Sequence, residues 1–276
     1  MRTIEHILIT AGGTVESIDE VRKISNTSTG KLCACIYEAL ADYVTETAEM
    51  AGEANRKFLV HYVVSETAVR PQIREGLPIV FYPVMDVRSV ERMLEKVMSE
   101  YDIQYVIHGM AVSDFTKDYI IEREALVCEL ADTLEQASPK ERSGDALRAL
   151  LRQVLGAPVR QMDASAKVRS DTDLMLSMKR TPKLIDAIKT CSPNACLVAF
   201  KLLKGVSEEH LIHVAGELSE KSGCNLVVAN DLQKIRADTH EGLLLKDRKV
   251  IGAYHTKREI ARGIVRHMLG GEAEAG

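Results

Sequence analysis

The sequence predicts an α/β protein with a doubly wound, mostly parallel sheet. Two patterns carry that expectation. Short runs rich in β-branched residues are apolar almost throughout, as in strands covered on both faces. Segments with apolar residues three to four apart alternate with them, as in helices that cross from one parallel strand to the next.

The strand pattern falls on HILIT (6–10), KFLVHYVVS (57–65), IVFY (79–82), QYVIHG (104–109), CLVAF (196–200) and NLVVAN (225–230). A helix is expected from Lys31, where Leu32, Ile36, Leu40, Tyr43 and Val44 share a face. A second carries Val87, Val90, Met93, Leu94 and Val97. Thr181-Pro182 reads as a helix N-cap with proline in the first turn, and Thr256 with Glu259 as a capping box. HEGLLLKDRKVIGAYHT (240–256) reads as a hairpin turning at Lys246-Asp247-Arg248. From Phe115 to Ala166 the rhythm breaks into an acidic stretch, helical around 145–155 and interrupted by Ser138-Pro139 and Ala157-Pro158. With no linker and no repeat, the expectation is one domain over 1–270. Residues 115–166 are an elaborated or mobile insert in it, and 271–276 a frayed tail.

Composition narrows the function classes. The 276 residues are enough for a large core, and a net charge of −4 gives no reason to expect nucleic acid or an anionic membrane. No apolar run has bilayer length, and MRTIEHILIT lacks the features of a signal peptide. The six cysteines form no CxxC pair, and Cys33 and Cys35 point to different faces of one helix, so reduced thiols in a cytoplasmic protein are expected. The histidines offer no nucleophilic triad. His108 reads as a core residue at a strand end, and His210 with His213 lacks a third metal ligand.

The most informative stretch is AGGTVESIDEVRKISNTSTGKL, residues 11–32. A strand followed by a glycine turn suggests a dinucleotide site, yet after Gly13 the next glycine is Gly30 and the helix is delayed. The missing glycine also argues against an NAD-dependent oxidoreductase. A P-loop fails as well, because Leu32 follows Gly30-Lys31 and Ser25 stands where its first glycine belongs. Phosphate chemistry remains. Gly12 and Gly13 let backbone N–H groups approach a ligand, and Ser28-Thr29-Gly30 precedes a helix whose positive end attracts anions. Any one of these glycines need only make a turn; the set points to a long anion such as a triphosphate. Between the turns, Arg22 offers a fork for phosphate or carboxylate, and Asn26 a neutral group for a reacting carbonyl.

This stretch closely resembles the opening of the phosphopantothenate–cysteine ligases. HGMAVSDF (108–115), AKVRSDTDLMLSMKRTPKLIDAIK (166–189), LVAFKLLKGVSEEHLI (197–212) and NLVVANDLQKIRADTH (225–240) agree in order. The resemblance is to the free-standing bacterial type, since the strand pattern starts at residue 6 with no flavin-dependent decarboxylase ahead of it. It implies a Rossmann-like fold and a ligase of coenzyme A biosynthesis. A nucleoside triphosphate, CTP in preference to ATP, activates the carboxylate of 4′-phosphopantothenate with Mg2+ present. L-Cysteine then attacks the acyl-nucleotide. A catalytically silent nucleotide-binding regulator is the alternative.

Carried over by position, the resemblance implies that Gly12, Gly13, Ser28 and Gly30 cradle phosphates. Asn26 meets the acyl-nucleotide and Arg22 lies beside the reacting substrate. Ala111, Val112 and Asp114 form a nucleotide loop, with Asp114 a candidate for ribose or metal. Lys167 acts on the nucleotide, Pro182, Lys183 and Phe200 lie near the base, and Asn230 and Asp231 brace the site. Cys33 departs from the family's usual glycine, so the approach of helix to sheet there is expected to differ. A homodimer is implied, with 167–178 and the late hairpin as its contacts.

Overall fold

The computed structural model describes residues 4–51, 56–162, 172–236 and 238–270. In chain order its elements begin with β1 (Ile4–Ala11), β2 (Val15–Ser17), β3 (Lys23–Ser25), α1 (Lys31–Ala51), β4 (Lys57–Ser65) and β5 (Ile79–Val84). Then come α2 (Val87–Glu100), β6 (Ile103–His108), β7 (Phe115–Glu122), α3 (Arg123–Gln136), α4 (Gly144–Gly156) and β8 (Leu174–Arg180). The last are α5 (Leu184–Cys191), β9 (Cys196–Leu203), α6 (Glu208–Ser222), β10 (Leu226–Asp231), β11 (Gly242–Lys246), β12 (Lys249–Tyr254) and α7 (Lys257–Leu269). They fall into two compact units. One comprises Met1–Thr14, Asn26–Val112 and Lys183–Gly276; the other comprises Val15–Ser25 and Ser113–Pro182.

The first unit is an eight-stranded sheet in the order β12-β11-β10-β9-β6-β1-β4-β5, parallel except for the final hairpin β11–β12. Its six parallel strands run 3-2-1-4-5-6 when counted along the chain, the order of a Rossmann sheet. All six strands expected from the sequence are present. Their continuous apolarity follows from coverage on both faces. Ile7 and Ile9 of β1 pack with Ile36 and Leu40 of α1 and Ile260 and Ile264 of α7. Leu8 points the other way, into the layer formed by Val90, Leu94 and Val97 of α2, Ile188 of α5 and Leu211 of α6. Each fully buried side chain of this size contributes about 2 kcal/mol.

Helix ends and turns follow local chemistry. Asp86 caps α2 and Thr256 closes the expected capping box with Glu259. The hairpin turns at Asp247 (φ 49°) and Arg248 (φ 65°), the left-handed pair that a two-residue turn demands. The expected cap at Thr181-Pro182 is not formed. Thr181 donates its N–H to Asp114 O (3.0 Å) and its hydroxyl to Ser113 O (2.6 Å), which extends the β7–β8 pairing and ties the residue to the strand end instead of to a helix start. α5 starts at Leu184 instead, with Lys183 in the cap position.

The second unit holds two antiparallel ribbons, β2–β3 and β7–β8. Tyr119 and Ile121 of β7 pack with Leu126 of α3 and Val154 of α4. The expected insert therefore contributes β7, α3 and α4, with the helical stretch at 145–155 inside α4. Its last residues, and the tail at 271–276, lie outside the described residues.

On the α2 side of the sheet, His61 in β4 is fully buried. His6 Nδ1 and Tyr82 Oη flank its ring nitrogens at 3.0 Å each. Burial, then the neighbouring His6, pushes His61 down to about 4. The unfolded chain takes up that proton near pH 6.5, so the native state binds fewer protons between about pH 6.5 and 4. The stabilisation is complete above that window and is lost as pH falls through it. We expect His61 alone to cost about 2 kcal/mol at pH 5 relative to pH 7. Urea midpoints should fall over that range, and His61→Gln should flatten the slope. A slope unchanged by the substitution would overturn this account.

Candidate active site

In the first unit, the two glycine turns of the opening stretch meet. Gly12 leaves β1 at φ 95° and Gly30 enters α1 at φ 70°, backbone states that side chains other than glycine rarely adopt. A Cβ on Gly30 would stand 3.3 Å from the Gly12 nitrogen, and one on Gly12 would stand 2.0 Å from Ser65 Oγ. A Cβ on Gly13 would lie 2.3 Å from the backbone oxygen of Asn26. The first turn of α1 contains no acidic residue, and its nearest side-chain acceptor, Thr29 Oγ1, is 3.5 Å from the Lys31 nitrogen. Its leading N–H groups thus present the positive end of a 21-residue helix beside the Gly12–Gly13 turn.

The loop after β6 closes onto the same turn. Ala111 donates its N–H to Gly12 O (2.8 Å), and Thr14 donates to Ala111 O (3.1 Å), which carries the β1–β6 pairing past the strand ends. Asn26 joins there: its N–H reaches Thr14 O (3.1 Å) and its Nδ2 reaches Ala111 O (3.1 Å). The amide is anchored through one donor, with a second Nδ2 proton and Oδ1 remaining. Ser28 N–H donates to Asn26 O (3.0 Å), which curls the chain toward Gly30. Gly12, Gly13, Asn26, Ser28, Gly30 and Ala111 are thereby brought together, and Val112 follows with its side chain against the α2-side core.

Phe200 lies on the α1 side of the sheet, half-buried against that core. Between it and α1 is Gly109, where a Cβ would meet Cys33 Sγ at 2.3 Å and Phe200 Cε2 at 3.4 Å. The sulfur that Cys33 places on the helix is thus accommodated by a glycine just past the strand end. Cys33 donates to Thr10 O (3.4 Å), and burial raises its thiol to about 12, so it stays protonated. Asn230 and Asp231 brace loops. Asn230 Nδ2 holds Glu241 O at 2.8 Å, and Asp231 accepts N–H groups from Gly205, Val206 and Gln233. Lys183 stands at the cap position of α5.

Arg22, Asp114 and Pro182 belong to the second unit. Arg22 grips Asp19 through Nε (2.9 Å) and Nη2 (2.6 Å), and this pairing with backbone N–H donors lowers Asp19 to about 2. Its guanidinium is held in place while its side chain stays 46% exposed. The Asp114 carboxylate is exposed. Lys167 lies outside the described residues. Among the described residues, no group of three or more potential metal ligands occurs and no helix is long and apolar enough to cross a membrane.

Sequence reading missed Gly109, Thr10 and Ser65. Gly109 stands inside HGMAVSDF but belongs to no spacing rule. Ser65 Oγ, buried beneath Gly12 without a hydrogen-bond partner among the described residues, becomes visible only when β4 is set beside β1.

The sheet order and the paired glycine turns define a Rossmann-like α/β protein. The chain belongs to the DNA/pantothenate metabolism flavoprotein C-terminal domain family, whose pattern matches residues 3–125 and 158–270. It is 29% identical over 263 residues to the coenzyme A biosynthesis bifunctional protein CoaBC of Thermococcus kodakarensis, covering 93% of this chain and 49% of that protein. It thus spans about half the length of the curated relatives it matches. The crystal structure of the DNA/pantothenate metabolism flavoprotein from Streptococcus pneumoniae has a TM-score of 0.70 and 29% identity, covering 97% of this chain and 99% of that one. A Cab2 mutant in complex with phosphopantothenate-cysteine shares the fold at a TM-score of 0.59 and 16% identity, over 96% of this chain and 85% of that one.

The glycine contacts separate steric from conformational cost. Gly76 has φ 90° with nothing within 4 Å of its virtual Cβ, whereas Gly12 has a similar φ and a filled neighbourhood. We expect Gly76→Ala to cost about 1 kcal/mol and Gly12→Ala at least about 2 kcal/mol more in chemical denaturation. Equal losses would show that the packing at Gly12 is not constraining.

Proposed function

We propose that this chain is the ligase that condenses 4′-phosphopantothenate with L-cysteine in coenzyme A biosynthesis. The observation that carries the reading is the convergence of the Gly12–Gly13 and Gly30 turns at the start of α1. It suits a long phosphate chain, and it occurs in a member of a pantothenate-metabolism family.

The chemistry follows from a weak electrophile. The pantothenate carboxylate attacks the α-phosphorus of the nucleotide, forming an acyl-nucleotide and releasing pyrophosphate. The cysteine amine adds to the acyl carbon and gives up a proton, the acyl C–O bond breaks with its electron pair leaving on the nucleoside monophosphate, and an amide remains. Gly12, Gly13, Ser28 and Gly30 hold the triphosphate, with Ala111 and Val112 lining the path. The remaining amide proton of Asn26 meets the activated carbonyl without adding charge. Arg22 orients the acid, Lys167 offsets charge on the α-phosphate, and Pro182, Lys183 and Phe200 bound the base. CTP is the favoured nucleotide. Mg2+ would arrive with the triphosphate, and the exposed Asp114 carboxylate fits the single protein oxygen such an ion commonly takes. The working form is a cytoplasmic homodimer, and a monomer mass in light scattering would count against that part.

Pyrophosphate release measured with 4′-phosphopantothenate, L-cysteine and Mg2+, with CTP and ATP in parallel, tests the reading. We expect release with CTP, a cysteine adduct by mass spectrometry, and losses of about 100-fold or more in Asn26→Ala and Lys167→Ala. Folded protein that releases no pyrophosphate with either nucleotide would replace the ligase with a silent nucleotide-binding regulator.

A further inference from the structure

His108 is the last residue of β6, and Thr10 is the penultimate residue of β1. These adjacent strands flank the point where the winding of the sheet reverses. The connection after β1 runs through α1 on one face, and the connection into β6 runs through α2 on the other. Ligands of open α/β sheets settle beyond the strand ends at that point. His108 is a half-buried residue there, and it directly precedes the loop that closes onto Gly12.

Its hydrogen bonding assigns the ring proton. Thr10 is fully buried. Its hydroxyl oxygen accepts the Met110 N–H at 3.2 Å and lies 3.0 Å from His108 Nδ1. The hydroxyl proton has no other acceptor among the described residues, and a buried donor left unpaired costs about 1–3 kcal/mol. Thr10 therefore donates to Nδ1, so Nδ1 carries no proton and Nε2 does. Nε2 has no partner among the described residues.

We propose that the Nε2–H of His108 donates a hydrogen bond to an acceptor oxygen of the bound reactants, a carboxylate, acyl or phosphoryl oxygen, and acts as neither acid nor base. This assignment rests on the ligase reading. A protonated Nε2 cannot take a proton from the cysteine amine. Burial holds the ring down at about 4, so it stays neutral at physiological pH. Such a donor steadies developing negative charge without titrating in the working range.

Histidine-labelled protein distinguishes the outcomes by long-range proton–nitrogen NMR at pH 7. Nε2 should be protonated and Nδ1 bare in the free protein. Adding 4′-phosphopantothenate or CTP separately should shift the Nε2–H signal, and the ligand that does so identifies which oxygen is met. In the pyrophosphate assay, His108→Leu should lose about tenfold in kcat/KM. His108→Gln, whose amide nitrogen takes the place of Nε2, should stay within about threefold of wild type. The rescue by Gln and the ligand-induced shift are not expected of a residue that only packs. A protonated Nδ1, an Nε2–H signal unmoved by both ligands, or a fully active Leu variant would overturn the assignment. If the wild type releases no pyrophosphate, the ligase reading falls, while the tautomer and the two titrations still decide the role of His108.

Discussion

The contact between Gly12 and Gly30 is the constraint on which the rest of the site depends. A strand end and a helix start come within van der Waals reach only because neither residue has a side chain and both tolerate positive φ. Their approach puts the N–H groups that begin α1 beside the turn that ends β1. It also anchors what lies around them. Val69 donates to Thr29 O, and Ala68 packs against both glycines. A side chain at either position would push α1 outward, and with it Cys33, whose sulfur is fitted against Gly109.

The two faces of the sheet are used differently at their C-terminal edge. On the α1 side lie the glycine turns, the Cys33–Gly109 contact and Phe200, an uncharged surface beside a helix terminus. On the α2 side lie Thr10 and His108, a hydroxyl and an imidazole that satisfy each other. Fixed dipoles and neutral donors suit the proposed reaction, in which charge shifts between phosphate and acyl oxygens. They stabilise charge where it develops and need no reorganisation when it moves.

Most of the fold was legible in the sequence, because strands buried on both faces must be apolar throughout and crossover helices must be amphipathic. HILIT and NLVVAN are unmistakable for that reason. β7 (FTKDYIIE) and β8 (LMLSMKR) were not read as strands, since each pairs only with the other and their polar positions look like loop. Thr181-Pro182 misled because a hydroxyl that can cap a helix can equally tie a strand end, and only the position of Ser113 O decides between them. In the site, the glycines were legible as turns, but their mutual contact was not. It joins positions 18 apart through an excursion that pairs with itself as β2–β3. Arg22 and Asn26 were recognised by resemblance, as their spacing carries no physical signature.

Arg22 illustrates what geometry adds to such a resemblance. A loop arginine is normally a solvated, mobile cation, and ordering it on a ligand costs side-chain entropy of up to about 2 kcal/mol. Here Asp19 holds the guanidinium on one edge, and backbone N–H groups of Val21 and Arg22 hold Asp19 in turn. The carboxylate, lowered to about 2, is charged at neutral pH. The arrangement offsets the arginine's charge but prepays its ordering. That trade favours orientation over raw attraction, which suits the place beside the substrate that the resemblance implies for Arg22.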